Sequence, residues 1–343
     1  MKRLAVLVVL TFLTGTAAAQ TPFSGKIRGR VISEVGEHPL EGVTIDLRDK
    51  KANVAQTDVY GRFEIDLNQV APEWAAEGKS LTLTFSAPSF LKAHRVLTCK
   101  AGAASECEEV TVPMVFDEAE IAPEIKEPLK KLVSREGYTL YLLPYEIASP
   151  VEGGPVAPPQ TGYLARGLFM AIATHLQALA SSSAAIASSP DISLEPLEIK
   201  MSWTNTEKIR RLGFFLNALA MIGGMGEVRR DEAGHNQVNI SSRYIMIPTL
   251  KELPVADTVE DVLPADLLNS PRLSQKFNKL WLSRTVLAFS LRDFKRAKAK
   301  GDRQGIERVR SCLIAEKAGL TEEDKIVSQI DLMLGLVNKE LGL

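Results

Sequence analysis

The residues that could carry chemistry in this chain are few and far apart. His38 and Glu41 stand in the order His-x-x-Glu, a spacing at which zinc enzymes can place two ligands. A catalytic zinc needs a third protein ligand and supporting groups around it. His38 instead precedes a proline in an expected inter-strand turn. We therefore interpret the match as coincidence and predict no metal site.

Other candidate groups also lack the partners that catalysis requires. The remaining histidines form no pair at a spacing of four residues, and no Gly-x-Ser-x-Gly turn offers a nucleophile; they are His94, His175 and His235. Ser181–Ser183 ends a predicted helix, and Gly223–Gly226 lacks the lysine and hydroxyl of a phosphate loop, so we interpret it as a helix stop. Cys312 is predicted to be a small buried residue. The sequence predicts no catalytic residue, no cofactor and no enzyme.

Two sets of side chains suggest binding instead. A basic cluster near a helix C-terminus could contact anionic lipid or an acidic partner, but we interpret it as a solvated helix face favoured by the helix dipole; it comprises Arg292, Lys295, Arg296, Lys298 and Lys300. Tyr60, Trp74 and Phe90 could stack on sugar rings. Because aromatic residues make up only 6% of the chain, core packing is expected to use most of them, and no sugar site is assigned.

Short alternating strands organise the N-terminal part of the chain. The stretch Pro39–Phe63 holds one alternating run and leads into another at Phe63–Leu67. Between them, Gly61 suits a positive φ and Asp58 can accept hydrogen bonds from the amides that follow it. Further strands are expected at Gly29–Ile32 and Leu81–Phe85. This spacing predicts an antiparallel β-sandwich over residues 25–115.

The order of these motifs also resembles a known family. Gly29-Arg30-Val31, then Pro39 to Ile45, then Thr57 to Phe63 resembles the carboxypeptidase regulatory-like family, which has a transthyretin-like sandwich. The resemblance covers roughly residues 25–115. Such modules accompany other domains and are not themselves peptidases, so the resemblance implies a spacer or binding role and no hydrolysis.

The N-terminus predicts export. Lys2 and Arg3 precede the apolar run Leu4–Leu13, and Ala17–Ala19 supplies small residues for cleavage, as in a secretory signal peptide covering residues 1–19. That run is too short to cross a bilayer, and no later segment is long and apolar enough. We expect a periplasmic or secreted protein without a transmembrane segment.

An oxidising compartment gives two cysteines a structural use. Cys99 and Cys107 flank a short loop between two predicted strands, so we expect a disulfide between them. By the chain-entropy estimate it would stabilise the fold by roughly 2.5 kcal/mol. The alternative, a two-cysteine metal site, lacks nearby histidine or further cysteine.

The middle of the chain predicts a small α/β domain. A charged linker at 116–137, with a short helix, precedes a domain at 138–248 in the order β-α-β-α-β-β. The elements are a buried strand at Tyr138–Tyr145, a helix at Tyr163–Leu179, a strand at Ile192–Ile199, a helix from Thr204 to Gly223 and a hairpin of Gly226–Arg230 with Gln237–Ile247. This order resembles the N-terminal α/β module of the TolB type, which implies protein–protein assembly in the envelope.

The C-terminal part predicts helices. An acidic, proline-bearing connector at 249–273 leads to a helical region at 274–343, in which Gly301 and Gly319 divide three helices. These helices could form a docking hairpin, or they could cap the α/β core, which is the interpretation we prefer.

These patterns predict a multidomain α+β protein with an N-terminal sandwich, a central α/β domain and a C-terminal helical segment. The formal net charge of −1 gives no basic field to attract nucleic acid, so that partner is not expected. We predict a non-enzymatic adaptor with an envelope protein as its partner. The alternatives are a carbohydrate- or peptide-binding protein and a hydrolase whose sandwich is an accessory domain.

Overall fold

Three β-sheets and a C-terminal helical layer make up the described part of the chain, which confirms the α+β class. The computed structural model describes residues 25–343 apart from 49–50, 72–79, 99–108, 118–122, 144–145, 149–192, 198–204, 231, 251–252, 255, 265–273 and 322–324. Several predictions lie outside these residues: the signal peptide at 1–19, the disulfide between Cys99 and Cys107, the helix at 163–179, and the residues Trp74, His175 and Ser181–Ser183.

Seven strands form the N-terminal sandwich. They are β1 (Lys26–Ser33), β2 (Thr44–Leu47), β3 (Lys51–Gln56), β4 (Arg62–Asp66), β5 (Ser80–Ser86), β6 (Ala93–Thr98) and β7 (Val110–Met114), with a single helical turn, α1 (Leu67–Val70), after β4. One sheet has the order β4-β1-β7 and the other β3-β2-β5-β6. Alternate residues of β1, β2, β4, β5 and β7 enter a shared core, among them Ile27, Ile45, Phe63 and Phe85.

One pairing in the sandwich corrects the predicted antiparallel arrangement. Strand β7 runs parallel to β1, whereas β4 runs antiparallel to it. The chain reaches β7 from β6, which belongs to the opposite sheet. It therefore crosses between the sheets and is not constrained by a hairpin to run antiparallel to β1.

A central sheet follows the sandwich. Its strands are β8 (Thr139–Leu142), β9 (Glu146–Ala148), β10 (Ser193–Pro196), β11 (Ala220–Arg230), β12 (Asn236–Met246) and β13 (Ala256–Pro264). The order is β10-β8-β11-β12-β13, and β9 also pairs with β11. Helix α2 (Pro123–Lys131) precedes this sheet and α3 (Thr206–Phe215) lies between β10 and β11. The predicted buried strand at 138–145 is confirmed over 139–142, where every residue of β8 is buried and β8 lies between two neighbouring strands.

The predicted end of the second helix at Gly223 is wrong. Helix α3 ends at Phe215, and Gly223 and Gly224 lie buried inside strand β11. A strand that is buried on both faces is apolar at successive positions. The first residues of β11 therefore matched the apolar spacing of the preceding helix and were predicted as part of it. The hairpin that follows is confirmed, but its first strand begins at Ala220, six residues before the predicted start at Gly226.

The segment at 249–273 is more than a connector. It contains β13, which pairs antiparallel with β12 and forms one edge of the central sheet. Acidic residues and a terminal proline suit an edge strand, because they discourage pairing with other chains. The acidic residues and the proline that suggested a connector therefore belong to the edge strand β13.

Three helices cover one face of the central sheet: α4 (Ser274–Lys300), α5 (Arg303–Ala318) and α6 (Ile326–Leu341). The predicted divisions at Gly301 and Gly319 are confirmed. Trp281 of α4 is fully buried and stacks on Tyr244 of β12 with ring centroids 5.6 Å apart. Arg284 of α4 forms an ion pair with Asp257 of β13. None of the helices described is both long and apolar enough to cross a membrane.

The opposite face of the central sheet joins the sandwich. Tyr141, Met221 and Ile245 point away from the C-terminal helices and share a core with helix α3 and the sandwich. Phe116, just after β7, packs on Phe215 of α3 with ring centroids 4.5 Å apart. Sandwich, sheet and helices therefore meet directly.

Candidate functional site

A pocket of about 210 Å³ lies where the sandwich, the central sheet and the helical layer meet; we call it the junction pocket. Its polar lining consists of His38, Glu41, Arg210, Asn217, Thr249, Arg292 and Arg296, and its apolar lining includes Pro39, Leu40, Val59, Phe90, Phe214 and Ile247.

The sandwich supplies one rim of the junction pocket through the turn at residues 38–42. The Ser33 amide donates to the His38 carbonyl at 2.9 Å, and the Leu40 amide donates to the Val31 carbonyl at 3.1 Å. The buried Thr57 hydroxyl donates to the Leu40 carbonyl at 2.6 Å. These hydrogen bonds fix the backbone of the rim.

A second turn, at residues 58–62, supports the first from behind. Asp58 accepts hydrogen bonds from the amides of Tyr60 and Arg62, each at 2.8 Å, and Gly61 has a φ of +70°. Both roles were predicted from the sequence and are confirmed. A Cβ on Gly61 would overlap the Val31 carbonyl oxygen. The glycine therefore allows the two turns to lie against each other.

Helix α4 supplies positively charged side chains to the pocket. The prediction that its basic cluster is a solvated helix face is wrong for the first residues of the cluster. Arg292 is 8% exposed and donates to the carbonyls of Gly137 and Ala218. Lys295 forms an ion pair with Glu41 of the sandwich rim and donates to the Thr249 carbonyl at 2.6 Å. Lys298 and Lys300, at the end of the helix, are exposed. The first part of the cluster thus joins layers, which sequence spacing alone does not reveal.

Arg296 joins the same layers. Its guanidinium donates to the Glu136 carbonyl at 2.7 Å and lies 4.8 Å from the ring centroid of Tyr138. Its own carbonyl accepts a hydrogen bond from the Tyr60 hydroxyl of the sandwich at 3.2 Å. Burial lowers the pKa of neighbouring Arg292 to about 10, so this guanidinium stays charged at neutral pH.

Helix α3 contributes the remaining polar lining. Arg210 lies over the ring of Phe214, 5.1 Å from its centroid, and its Nη1 is 3.7 Å from a Glu207 carboxylate oxygen. Asn217 follows the helix with a φ of +50° and donates to the Ser134 carbonyl at 2.9 Å. Neither residue was predicted from the sequence to line a site, although an asparagine after an apolar helical run is itself a signal for a helix end.

His38 lies at the bottom of this rim and is only 3% exposed. Its ring nitrogens face the backbone of Val35 and Phe214 without forming a well-aligned hydrogen bond. Within the described ranges, no three side chains of His, Cys, Asp or Glu come together as a metal site would require. His38 and Glu41 therefore contribute to the pocket as separate polar groups.

Acidification is expected to destabilise the protein through His38. Burial, together with the charge of Arg292, lowers the pKa of His38 from 6.5 to about 4. In the unfolded chain His38 binds a proton near pH 6.5, whereas in the folded protein it stays neutral down to about pH 4. The contribution of neutral His38 to the free energy of unfolding is therefore complete above pH 6.5 and is lost as the pH falls towards 4. The full loss amounts to about 3 kcal/mol at 1.36 kcal/mol per pH unit.

Urea unfolding at pH 7, 5.5 and 4.5 tests this expectation. His38→Gln should flatten the decline between pH 6.5 and 4, and His235→Gln, at an exposed turn position, should leave it unchanged. An identical decline in wild type and His38→Gln would show that other groups cause it.

The other candidate residues lie away from the junction pocket or take part in packing. His94 is on β6, where its Nδ1 is 3.0 Å from the Thr84 hydroxyl. Cys312 is buried, as predicted, and burial raises its pKa to about 11. Phe90 packs edge-on against Phe116, and the cationic groups of Arg62 and Lys300 lie 4.7 and 5.3 Å from the centroid of the Tyr60 ring.

No family model and no curated protein matches the chain. Among solved structures, a 9R-lipoxygenase from Cyanothece PCC8801 is similar at 10% sequence identity, with a TM-score of 0.18. The match covers 88% of this chain and 50% of the lipoxygenase, so the chain spans about half the length of that protein. A TM-score this low carries no argument about fold or activity. The resemblances to carboxypeptidase regulatory-like and TolB-type modules stay predictions.

Proposed function

We propose that this protein is an exported, non-enzymatic adaptor of the cell envelope that holds a partner protein at the junction pocket. The composition of the pocket lining carries this proposal. Arg210 of α3 and Arg292 and Arg296 of α4 line the pocket together with apolar side chains of the sandwich, α3 and the end of β12. Arginine combined with aromatic and aliphatic surface is the chemistry that protein-binding sites favour.

The same lining argues for binding over hydrolysis. A hydrolase needs a nucleophile beside a base, or two carboxyl groups on either side of the scissile bond. Among the lining residues, Glu41 is the single carboxylate, and it is already paired with Lys295. His38 has no hydroxyl or thiol within hydrogen-bond distance.

Peptide binding is the second candidate function, and it is favoured over carbohydrate binding. Sugar rings stack on exposed aromatic faces. Tyr60 uses its hydroxyl and its ring in contacts within the protein, and Phe90 is only 9% exposed. The cationic pocket instead suits an anionic group on a peptide or protein.

Site-specific photo-crosslinking in the native envelope tests the proposal. A benzophenone amino acid replaces Val59 in the pocket lining or, as the control, Ile314, which is 43% exposed on α5. We expect mass spectrometry to identify a reproducible envelope protein crosslinked from position 59 and absent from position 314. No captured protein from position 59, or capture from position 314 alone, would contradict the proposed role.

A further inference from the structure

Arg210 differs from the other two arginines of the junction pocket in what it binds. Arg292 and Arg296 donate to main-chain carbonyls of Gly137, Ala218 and Glu136. Within the described part of the chain, the only anionic contact of Arg210 is with Glu207, and 3.7 Å is longer than a hydrogen bond. Its Nε is enclosed by the protein, but the side chain as a whole is 24% exposed and lines the pocket, so its terminal nitrogens can bind an external anion.

The charge and shape of the pocket restrict the ligand further. Three guanidinium groups line it against one carboxylate, Glu41, which Lys295 neutralises. The walls include Pro39, Phe90, Phe214 and Ile247, and the volume is about 210 Å³. Such a pocket disfavours ammonium groups and suits one anionic group attached to a short apolar body.

We propose that the junction pocket binds the carboxylate of a short apolar acid, either as a free acid or as the C-terminus of a peptide that ends in an apolar residue. Arg210 receives the carboxylate through its planar fork of donors. The apolar body then lies against Phe90, Phe214 and Ile247. This inference rests on the proposed binding role of the pocket and specifies the chemistry that the pocket recognises.

Isothermal titration calorimetry of the mature full-length protein tests the inference. The probes are N-acetyl-leucine, its uncharged amide, a leucine-terminated tripeptide as acid and as amide, and inorganic phosphate. We expect each acid to bind at least about tenfold more tightly than its amide, because an ionic hydrogen bond is lost in the amide. Tighter binding of the tripeptide acid than of N-acetyl-leucine identifies a chain terminus, and the reverse order identifies a free acid.

Two neighbouring arginines provide a matched pair of variants. Arg210→Gln should weaken binding of the acids by about tenfold or more. Arg211→Gln, which changes an adjacent arginine outside the pocket lining, should bind as wild type does. Thermal unfolding of both variants checks that the fold is intact. Equal binding of acid and amide, preference for phosphate, or unchanged acid binding by Arg210→Gln would overturn the inference.

The outcome separates this inference from the proposed function. Crosslinking of an envelope protein from position 59 without any acid binding would refute the carboxylate ligand and leave the adaptor role standing. Absence of both would refute both.

Discussion

Replacing Arg292 with methionine is expected to lower the free energy of unfolding by roughly 3 to 5 kcal/mol. The guanidinium is buried and donates to the carbonyls of Gly137 and Ala218, which join helix α4 to the segments that flank β8 and β11. Methionine fills much of the space but leaves two buried carbonyls without a donor. Chemical denaturation at pH 7 measures the change.

Lys298→Met provides the control for Arg292→Met on the same helix. The Lys298 side chain is 56% exposed and its ion pair with Glu340 lies at the surface, so its loss should cost between 0 and about 1 kcal/mol. If both variants lose the same stability, Arg292 does not join the layers of the fold as described. A loss confined to Arg292→Met supports its structural role.

Gly61→Ala is expected to destabilise the protein by at least about 3 kcal/mol. Gly61 has a φ of +70°, and a methyl group there would overlap the backbone oxygen of Val31, which cannot move independently of its strand. The overlap would disturb the hydrogen bonds from the Val31 amide to the Gly61 carbonyl and from the Leu40 amide to the Val31 carbonyl. The rim of the junction pocket should therefore shift.

Gly234→Ala separates this steric effect from backbone strain. Gly234 has a φ of +84° and no atom within 4 Å of an added Cβ, so alanine should cost only about 1 to 2 kcal/mol. Chemical denaturation gives both values, and acid binding by Gly61→Ala reports on the rim. Equal losses at the two glycines would contradict the close approach of the two turns.

Local elements of this fold follow from local sequence patterns. The turn at residues 58–62 was predictable because Asp58 and Gly61 each act on the backbone next to them. Strand β8 was predictable from its nearly continuous apolar run, and the C-terminal helices from their glycine stops. Strand β11 was not, because apolar residues at consecutive positions fit a helical stripe as well as a buried strand.

The junction pocket could not be predicted in the same way. His38, Arg210 and Arg292 come from a turn and two helices separated by long stretches of sequence, and each is unremarkable in its own segment. The basic cluster on α4 shows the reason. Spacing places Arg292 and Lys295 on a helix, but only the tertiary packing puts the carbonyls of Gly137 and Ala218 and the Glu41 carboxylate beside them.

Photo-crosslinking from position 59 in three backgrounds, wild type, Arg210→Gln and Arg211→Gln, tests how the junction pocket binds its partner. The claim is that the junction pocket holds an envelope partner through Arg210. We expect the same protein to be captured by wild type and Arg211→Gln, with about tenfold less captured by Arg210→Gln. Equal capture in all three backgrounds would show that the partner does not depend on the pocket, and the claim would be wrong.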